Sequence, residues 1–573
     1  MNPCRVWAPR ATHVELVTRG QRLPLEAVAD GWFELVDGHL APGDDYSFIL
    51  DGGSPRPDPR SWWQPHGVHG ASRAVDRDAF VWTDASWRGR SLGDCVVYEL
   101  HIGTFSDAGT FDGAIEHIGA LVDLGVGAVE VMPVAEFPGA RGWGYDGVHL
   151  HAVHDAYGGP TGLSRFVDAC HGAGLAVVMD VVYNHLGPDG NHLPDFGPYF
   201  TDRHRTPWGE AINYDGADSD EVRRFVVDNA LMWLRDYHCD GLRLDAVHAI
   251  VDTSAVHLLE EITEAVHGLS RRLGRPLWVI AESDLGDPRV VTDAAQGGLG
   301  CDAQWSDDFH HALHASLAGE TSGYYADFGS VEAVARTLRD VFFNPGGYSA
   351  FRRRRHGRPV GDLASTRFLG YMQTHDQAGN RARGERSAAL MSTGRLQIAA
   401  ALVLLGPFVP MLFAGEEWAA STPFQYFTDH QDPELARLVS EGRRSEFASF
   451  GWDPSLIPDP QDPATFERSK LRWAERDEEP HATVLRWHTD LIALRSRTPS
   501  LRDGDRSALQ IEFSEAGRWL VMRRPGVIVA CNWGDHAADL PVPASAVALS
   551  NGDVVLSPHG VAVLPDGVVV ALT

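Results

Sequence analysis

Positive charge is scarce in this sequence. Its 49 Lys and Arg face 78 Asp and Glu, for a net charge of −29. A field of that sign repels polyanions, which excludes nucleic acid as a substrate. The run "FRRRRHGR", Phe351 to Arg358, is the local exception; taken by itself, a short basic run reads as a solvated or phosphate-touching loop. Long apolar runs are also missing. No segment reaches the ~18 uninterrupted apolar residues of a membrane span, and the opening "MNPCRVWAPRATHVEL" has no apolar core of the kind a signal peptide needs. Cysteine is sparse: six residues (Cys4, Cys95, Cys170, Cys239, Cys301, Cys531) lie scattered without a C-x-x-C pair. A chain this long needs no covalent staples, so reduced thiols and a cytoplasmic protein are expected, with neither membrane nor nucleic-acid partner.

What remains is the profile of a folded globular chain, with 44% apolar and 22% charged residues over 573 positions. At roughly 150 residues per domain that length implies two to four units. Up to about residue 85, extended runs such as "HVELVT" and "YSFIL" alternate with turns such as "APGDD" and "DGGSPRPDPR", which predicts an N-terminal β-sandwich over 1–88. The rhythm then changes. Short apolar runs recur between helical stretches: "VVYELH", "AVEVMP", "AVVMDVVYNH", "GLRLDA", "LWVIAES", "DAQWSD", "FLGYMQTHD" and "VPMLFAGEE". "VRRFVVDNALMWLRDY" and "HLLEEITEAVHGLSRRL" are amphipathic helices lying between members of that series. Eight βα repeats predict a multidomain α/β chain whose centre, 89–498, is a (β/α)8 barrel. The segment at about 186–220 exceeds an ordinary βα loop and is rich in Gly, Pro and aromatics, as rim insertions that shape a substrate site are. After about 500, "RWLVMRR", "VIVACNW" and "GVVVALT" return to strand patterning, predicting a C-terminal antiparallel β domain over 499–573.

Within "DGLRLDAVHAI", residues 240 to 250, two charges interrupt an apolar strand: Arg243 and Asp245. Buried charges are costly unless they are paired or serve chemistry. Asp245 ends the fourth predicted strand, Asp180 the third and Glu282 the fifth, while Asp376 follows the seventh. All four acids fall at the C-terminal rim, where barrel enzymes hold their active sites. Rim carboxylates without a thiolate cluster or a phosphate loop point to glycoside hydrolysis.

The motifs "DVVYNH", "GLRLDAVH", "IAES" and "THDQAGNR" resemble, in residue type, order and spacing, the four signature regions of the α-amylase family of glycosidases. Four further strings, "DFGPYF", "AESDLGDPR", "GYSAFRRRRHGRP" and "FAGEEWAASTPFQYFTDH", resemble the maltooligosyltrehalose trehalohydrolases within it. The resemblance implies a retaining hydrolase that cleaves the α-1,4 bond next to the trehalose end of a maltooligosyl trehalose. It implies Asp245 as nucleophile, Glu282 as acid and then base, and Asp376 as the acid that holds the sugar. Asp180, His185 and His375 would be sugar ligands and Tyr145 the platform beneath the ring. Arg243, two residues before Asp245 and so on the same strand face, is expected to hold the nucleophile ionised. Trp208, Phe351 and Arg352 are candidates for the trehalose subsites, offering aromatic faces and charged donors.

No cofactor and no metal are expected. Asn184 matches a position that ligates calcium in many amylases, but the acidic loop that would complete six to eight oxygen ligands is missing. His149, His151 and His154 are close in sequence without a Cys partner and read as polar loop residues near the rim, not as a zinc site. Val247 and His248 stand where many amylases carry a Lys-His acceptor pair. The alternative enzyme is an α-1,4-glucan branching enzyme, which shares the acids but passes the glycosyl unit to a sugar hydroxyl. A pure glucan binder has no need for three crowded acids. A monomer is expected, with a dimer as the alternative.

Overall fold

The computed structural model describes residues 4–448, 456–557 and 560–573. At its centre eight parallel strands close into a barrel: Val97–Leu100, Ala128–Val131, Ala176–Val181, Gly241–Leu244, Trp278–Ala281, Ala303–Trp305, Phe368–Gly370 and Val409–Phe413. These are the eight runs read from the sequence. Alternate residues face inward, and the inward layer at the strand starts is apolar: Val97, Ala128, Ala176, Val178, Trp278, Ile280, Ala303, Leu369 and Val409 pack as one cluster. Toward the strand ends the inward positions turn polar, with Glu99, Glu130, Asp180 and Arg243 all buried.

The crossover helices follow from pattern and caps. Leu258–Leu273 buries Leu258, Leu259, Ile262, Val266 and Leu269 against the barrel, an i, i+3, i+4 stripe. Glu260 and Glu261 lie in its first turn and Arg271 and Arg272 in its last, complementing the helix dipole. Gly274 ends it at φ 65°, a left-handed conformation that glycine adopts without a Cβ penalty.

Antiparallel sheets flank the barrel. On the N-terminal side a three-stranded sheet (Arg5–Trp7, Glu26–Ala27, Trp32–Glu34) accompanies a four-stranded one that includes Val14–Thr18 and Asp45–Leu50. On the C-terminal side a five-stranded sheet (Gln510–Ser514, Trp519–Arg524, Val527–Asn532, Val547–Ser550, Gly567–Leu572) packs on a three-stranded one through Val521, Ile528, Leu540, Val561 and Val569. The long segment after the third barrel strand is partly regular: Phe200–Thr206 and Gly209–Ile212 form a hairpin whose turn carries Trp208. Its base meets the N-terminal sheets, Tyr199 lying edge-on to Trp7 at 5.4 Å and Asp195 pairing with Arg56 at 2.7 Å.

Two of the three neighbouring histidines are strand residues and not loop residues; His154 follows the strand. His149 and His151 belong to a buried strand, His149–Val153, and each histidine has its own surroundings. His149 lies 3.0 Å from the Val68 carbonyl, His151 packs on Phe225, and His154 stacks on Phe137. The stretch "VHLHAV" alternates as a strand does, and its apolar positions carry the signal that the sequence reading passed over. No helix among the described residues is long and apolar enough to cross a membrane.

The fourth barrel strand has an acid just outside each end. Asp240, before the strand, is fully buried at the face opposite the rim; it accepts from Trp87 Nε1 at 2.8 Å and Val177 N at 3.0 Å, lies 2.9 Å from His171 Nε2 and pairs with Arg275. A polar network at that face serves stability and not chemistry. Asp240→Ala leaves Arg275 and the backbone amide of Val177 without their acceptor, so it is expected to destabilise the fold by about 3–5 kcal/mol. Thermal unfolding should show this as a drop in midpoint, while kcat of the folded fraction stays near the wild-type value.

Candidate active site

Arg243 sits at the centre of the rim, wholly buried, with acids converging on it. Its Nη1 donates to both oxygens of Asp180 at 2.9 Å and to Asp245 Oδ1 at 2.9 Å, and its Nη2 pairs with Glu282 Oε2 at 2.9 Å. The guanidinium carbon lies over Trp305, 4.2 Å from the ring centre. Register explains the convergence. Asp180 pairs directly with Arg243 between the third and fourth strands, and Leu244 pairs with Ala281 between the fourth and fifth, so the residues that follow, Asp245 and Glu282, emerge side by side. Exposure grades across the cluster: the side chains of Asp180 and Arg243 are 1% exposed, Asp245 12% and Glu282 26%. Asp180 and Arg243 form the floor, and Asp245 and Glu282 face the cleft.

Each carboxylate is further held. Asn184 Nδ2 donates to Asp245 Oδ2 at 2.7 Å and to its backbone carbonyl at 2.8 Å, while Asn184 Oδ1 engages His185 Nδ1. Both ends of that carboxamide are thus spent within the site. Tyr145 donates to Asp180 at 2.7 Å and its ring stacks on His375 at 5.0 Å. His375 in turn is gripped by Glu99, through its backbone N–H at 2.9 Å and its ring at 2.5 Å. Burial alone would lower the His375 pKa; the charge and hydrogen bond of Glu99 outweigh it and raise it. Burial lowers that of His185, whose ring stacks on Trp208 at 4.7 Å.

The pKa of Glu282 is strongly raised. Burial pushes it up to about 8, against the opposing pull of Arg243 and with the help of Asp245 and Asp376. Burial also raises Asp180, to about 6, with Arg243 again opposing. Glu282 Oε2 accepts from the Ala246 backbone N–H at 2.7 Å as well as from Arg243, which leaves Oε1 to carry a proton. Ala246 reaches Glu282 because it adopts φ 38° and ψ 53°, a left-handed conformation unfavourable for alanine that turns the chain over directly after Asp245. A protonated carboxylic acid beside an acceptor-only carboxylate is the pairing that acid-assisted displacement needs.

Beside this cluster opens a cavity of about 420 Å³, in the range of small-molecule sites. Asp376, Asp284, Asp307, Tyr324, Phe351 and Arg352 are among its lining. Arg352 pairs with Asp284 at 3.0 Å, and Asn380 donates to Asp376 at 2.6 Å. The structure therefore brings Asp180, Arg243, Asp245, Glu282, Tyr145 and His375 into one network, places His185 and Trp208 on one flank, and places Asp376, Phe351 and Arg352 on another. Residues not singled out in the sequence complete it: Glu99, Trp305, Asp284, Asp307 and Tyr324; Asn184, weighed there only as a calcium ligand, serves Asp245 instead. Glu99 had a visible signal, a charge inside the apolar run "VVYELH" like that of Arg243. The cavity residues had none, because three separate loops supply them.

Comparison with known proteins agrees with this geometry. Residues 78–195 match the family model of the alpha amylase catalytic domain. The chain is 54% identical over 516 residues to a malto-oligosyltrehalose trehalohydrolase of Arthrobacter ramosus, covering 89% of each chain. It is 34% identical to a 1,4-alpha-glucan branching enzyme of Bacillus caldolyticus, but over only 52% of this chain and 50% of the other. A Salmonella typhimurium protein solved at 1.4 Å as an alpha amylase superposes with a TM-score of 0.91 at 37% identity, over 100% of this chain and 97% of that one. The shared barrel, the carboxylate cluster and the near full-length identity lead to one conclusion: this chain belongs to the malto-oligosyltrehalose trehalohydrolase family of α-amylase-type glycosidases.

Proposed function

We propose that the chain hydrolyses the α-1,4 bond adjoining the trehalose end of maltooligosyl trehaloses, releasing trehalose and a maltooligosaccharide, with 89–498 as the catalytic unit. The observation that carries the mechanism is the shared guanidinium: Asp245 on Nη1 and Glu282 on Nη2 of Arg243. Two carboxyl groups close enough to share one planar fork favour the retaining geometry, about 5–5.5 Å, over the inverting one, about 6.5–9.5 Å. Asp245, whose partners Arg243 and Asn184 are both donors, attacks the anomeric carbon. Glu282 delivers its proton to the departing trehalose oxygen and then, as a base, activates the water that releases the glycosyl-enzyme. Tyr145, Asp180, His185 and His375 bind the sugar ring at that centre, and Asp376 holds its hydroxyls.

The cavity is the trehalose side. It adjoins Asp284, two residues beyond the acid, and a leaving group departs toward its proton donor. Its carboxylates and Arg352 suit a polyol rich in hydroxyls, and Phe351 and Tyr324 offer faces to the rings. Trp208 stacks on His185 and is absent from the cavity lining, which favours a glucan contact over the trehalose subsite expected from the sequence. A branching enzyme would need room for an acceptor chain in place of water; the near full-length identity to the trehalose-releasing relative supports hydrolysis.

Incubation with maltotriosyl trehalose is expected to yield free trehalose and maltotriose, with no α-1,6 linkages; chromatography and linkage analysis check it, and branched products without trehalose would reverse the reading. Because Glu282 must hold its proton, kcat/KM should fall as pH rises through about 8. Glu282→Gln should remove that limb and cost at least about 10³-fold in kcat, as should Asp245→Asn with sugar binding retained. Phe351→Ala should lower kcat/KM roughly 10–100-fold on maltotriosyl trehalose and little on plain maltooligosaccharides, whereas Trp208→Ala should lower both alike. Steady-state kinetics on the two substrates separate these outcomes.

A further inference from the structure

The second barrel strand, Ala128–Val131, is Ala and Val except for Glu130. Glu130 pairs with Glu99 on one side and Val178 on the other, and is 1% exposed. Neither of its carboxyl oxygens has a hydrogen-bond partner among the described residues. Two further polar groups of the barrel interior are unpartnered, the Arg243 Nε and the Trp305 indole N–H. Glu99, opposite, engages His375 with both oxygens and keeps further acceptor capacity. The interior of such a barrel is ordinarily filled by Val, Ile and Leu, so an unpaired acid directly under the catalytic cluster calls for a reason.

The charged groups facing Glu130 are Glu99, Arg243, Asp180 and Glu282, contributed by the first, fourth, third and fifth strands. One guanidinium already answers Asp180, Asp245 and Glu282, and a further anion beside them would be uncompensated. Burial, reinforced by Glu99, raises the Glu130 pKa well above the carboxylate range. A neutral carboxylic acid is both donor and acceptor, and can therefore serve an acceptor such as Glu99 and a donor such as Nε at once. Because neither Glu130 oxygen nor the Arg243 Nε has a direct hydrogen bond among the described residues, the link calls for intervening water, which buried polar groups commonly recruit.

We propose that Glu130 is a positioning residue of the active site: as a neutral acid it bridges, through water, the Glu99 carboxylate and the Arg243 Nε, and so fixes the two groups from which His375 and the catalytic carboxylates are held. It touches neither substrate nor reacting atoms. The inference rests on the hydrolytic reading above and concerns any α-1,4-glucan the enzyme cleaves.

Two variants of the full chain test it, Glu130→Gln and Glu130→Leu, each assayed on maltotriosyl trehalose and on maltoheptaose with thermal midpoints in parallel. Gln keeps donor and acceptor without charge; Leu keeps only bulk. E130L is expected to lose roughly 10–100-fold in kcat with KM within about twofold and a thermal midpoint no lower than wild type, the signature of misplaced groups in an intact fold. E130Q should keep at least about a third of kcat and the basic limb of the pH profile. Wild-type kcat in E130L would overturn the positioning role, as would E130Q impaired as severely as E130L. A basic limb in E130Q lowered by roughly one pH unit would show that an ionised Glu130 had been raising Glu282, and would overturn the neutral acid. Should E130L fail to fold, kcat and the limb of E130Q decide alone. Failure of the wild type to release trehalose would count against the proposed substrate only, since the comparison on maltoheptaose stands independently.

Discussion

The active site depends on one guanidinium. Arg243 is fully buried, a position no cation tolerates unless anions surround it, and Asp180, Asp245 and Glu282 would be equally untenable without it. Neither side of this arrangement is stable alone, which gives the cluster a single geometry. An arginine does this where a lysine would not, because its planar fork presents separate nitrogens in fixed directions: Nη1 toward Asp180 and Asp245, Nη2 toward Glu282. The fork itself rests over the face of Trp305. Strand register supplies the rest. A slip of one residue between the third and fourth strands would send Arg243 outward and Leu242 or Leu244 inward, so the apolar alternation that folds the barrel also aims its charges.

This coupling explains why so much was legible. The eight strands announced themselves as apolar runs separated by helices, and the acids at their ends fell on one rim because strand direction and period leave no other place for them. Asp245 and Arg243 were conspicuous as charges inside an apolar run, and the same reasoning applied to "VVYELH" and "AVEVMP" finds Glu99 and Glu130. What could not be read was which loops meet. Asp284 follows the fifth barrel strand, while Asp307, Tyr324 and Phe351 are spread along the long stretch between the sixth and seventh, and nothing periodic ties them together. Trp208 illustrates the limit. Its residue type suited a sugar subsite, but which flank it occupies follows from a hairpin anchored on the N-terminal sheets through Tyr199 and Asp195, a tertiary fact with no local trace. The histidines at 149, 151 and 154 erred the other way, since three polar residues close in sequence drew attention from the strand that buries them.

The division between barrel and loops is also a division of labour, though not a clean one. On the reading proposed above, the barrel layer of Asp180, Arg243, Asp245 and Glu282 carries the double displacement, and the cavity beyond it selects the leaving group. Asp376 belongs to both: it lines the cavity and its charge helps raise Glu282. Recognition and acid strength are therefore linked through one residue. If the cavity takes the leaving disaccharide as proposed, filling it would displace water from around Asp376 and Glu282, and in the drier site the repulsion between the two acids would grow, since Coulomb energy rises as the effective dielectric falls. Glu282 would then hold its proton more firmly until the glycosidic oxygen arrived to take it. A ligand that left the cavity wet would gain less of this effect, so on this proposal the preference for a leaving group would be expressed in the strength of the acid as well as in the contacts made.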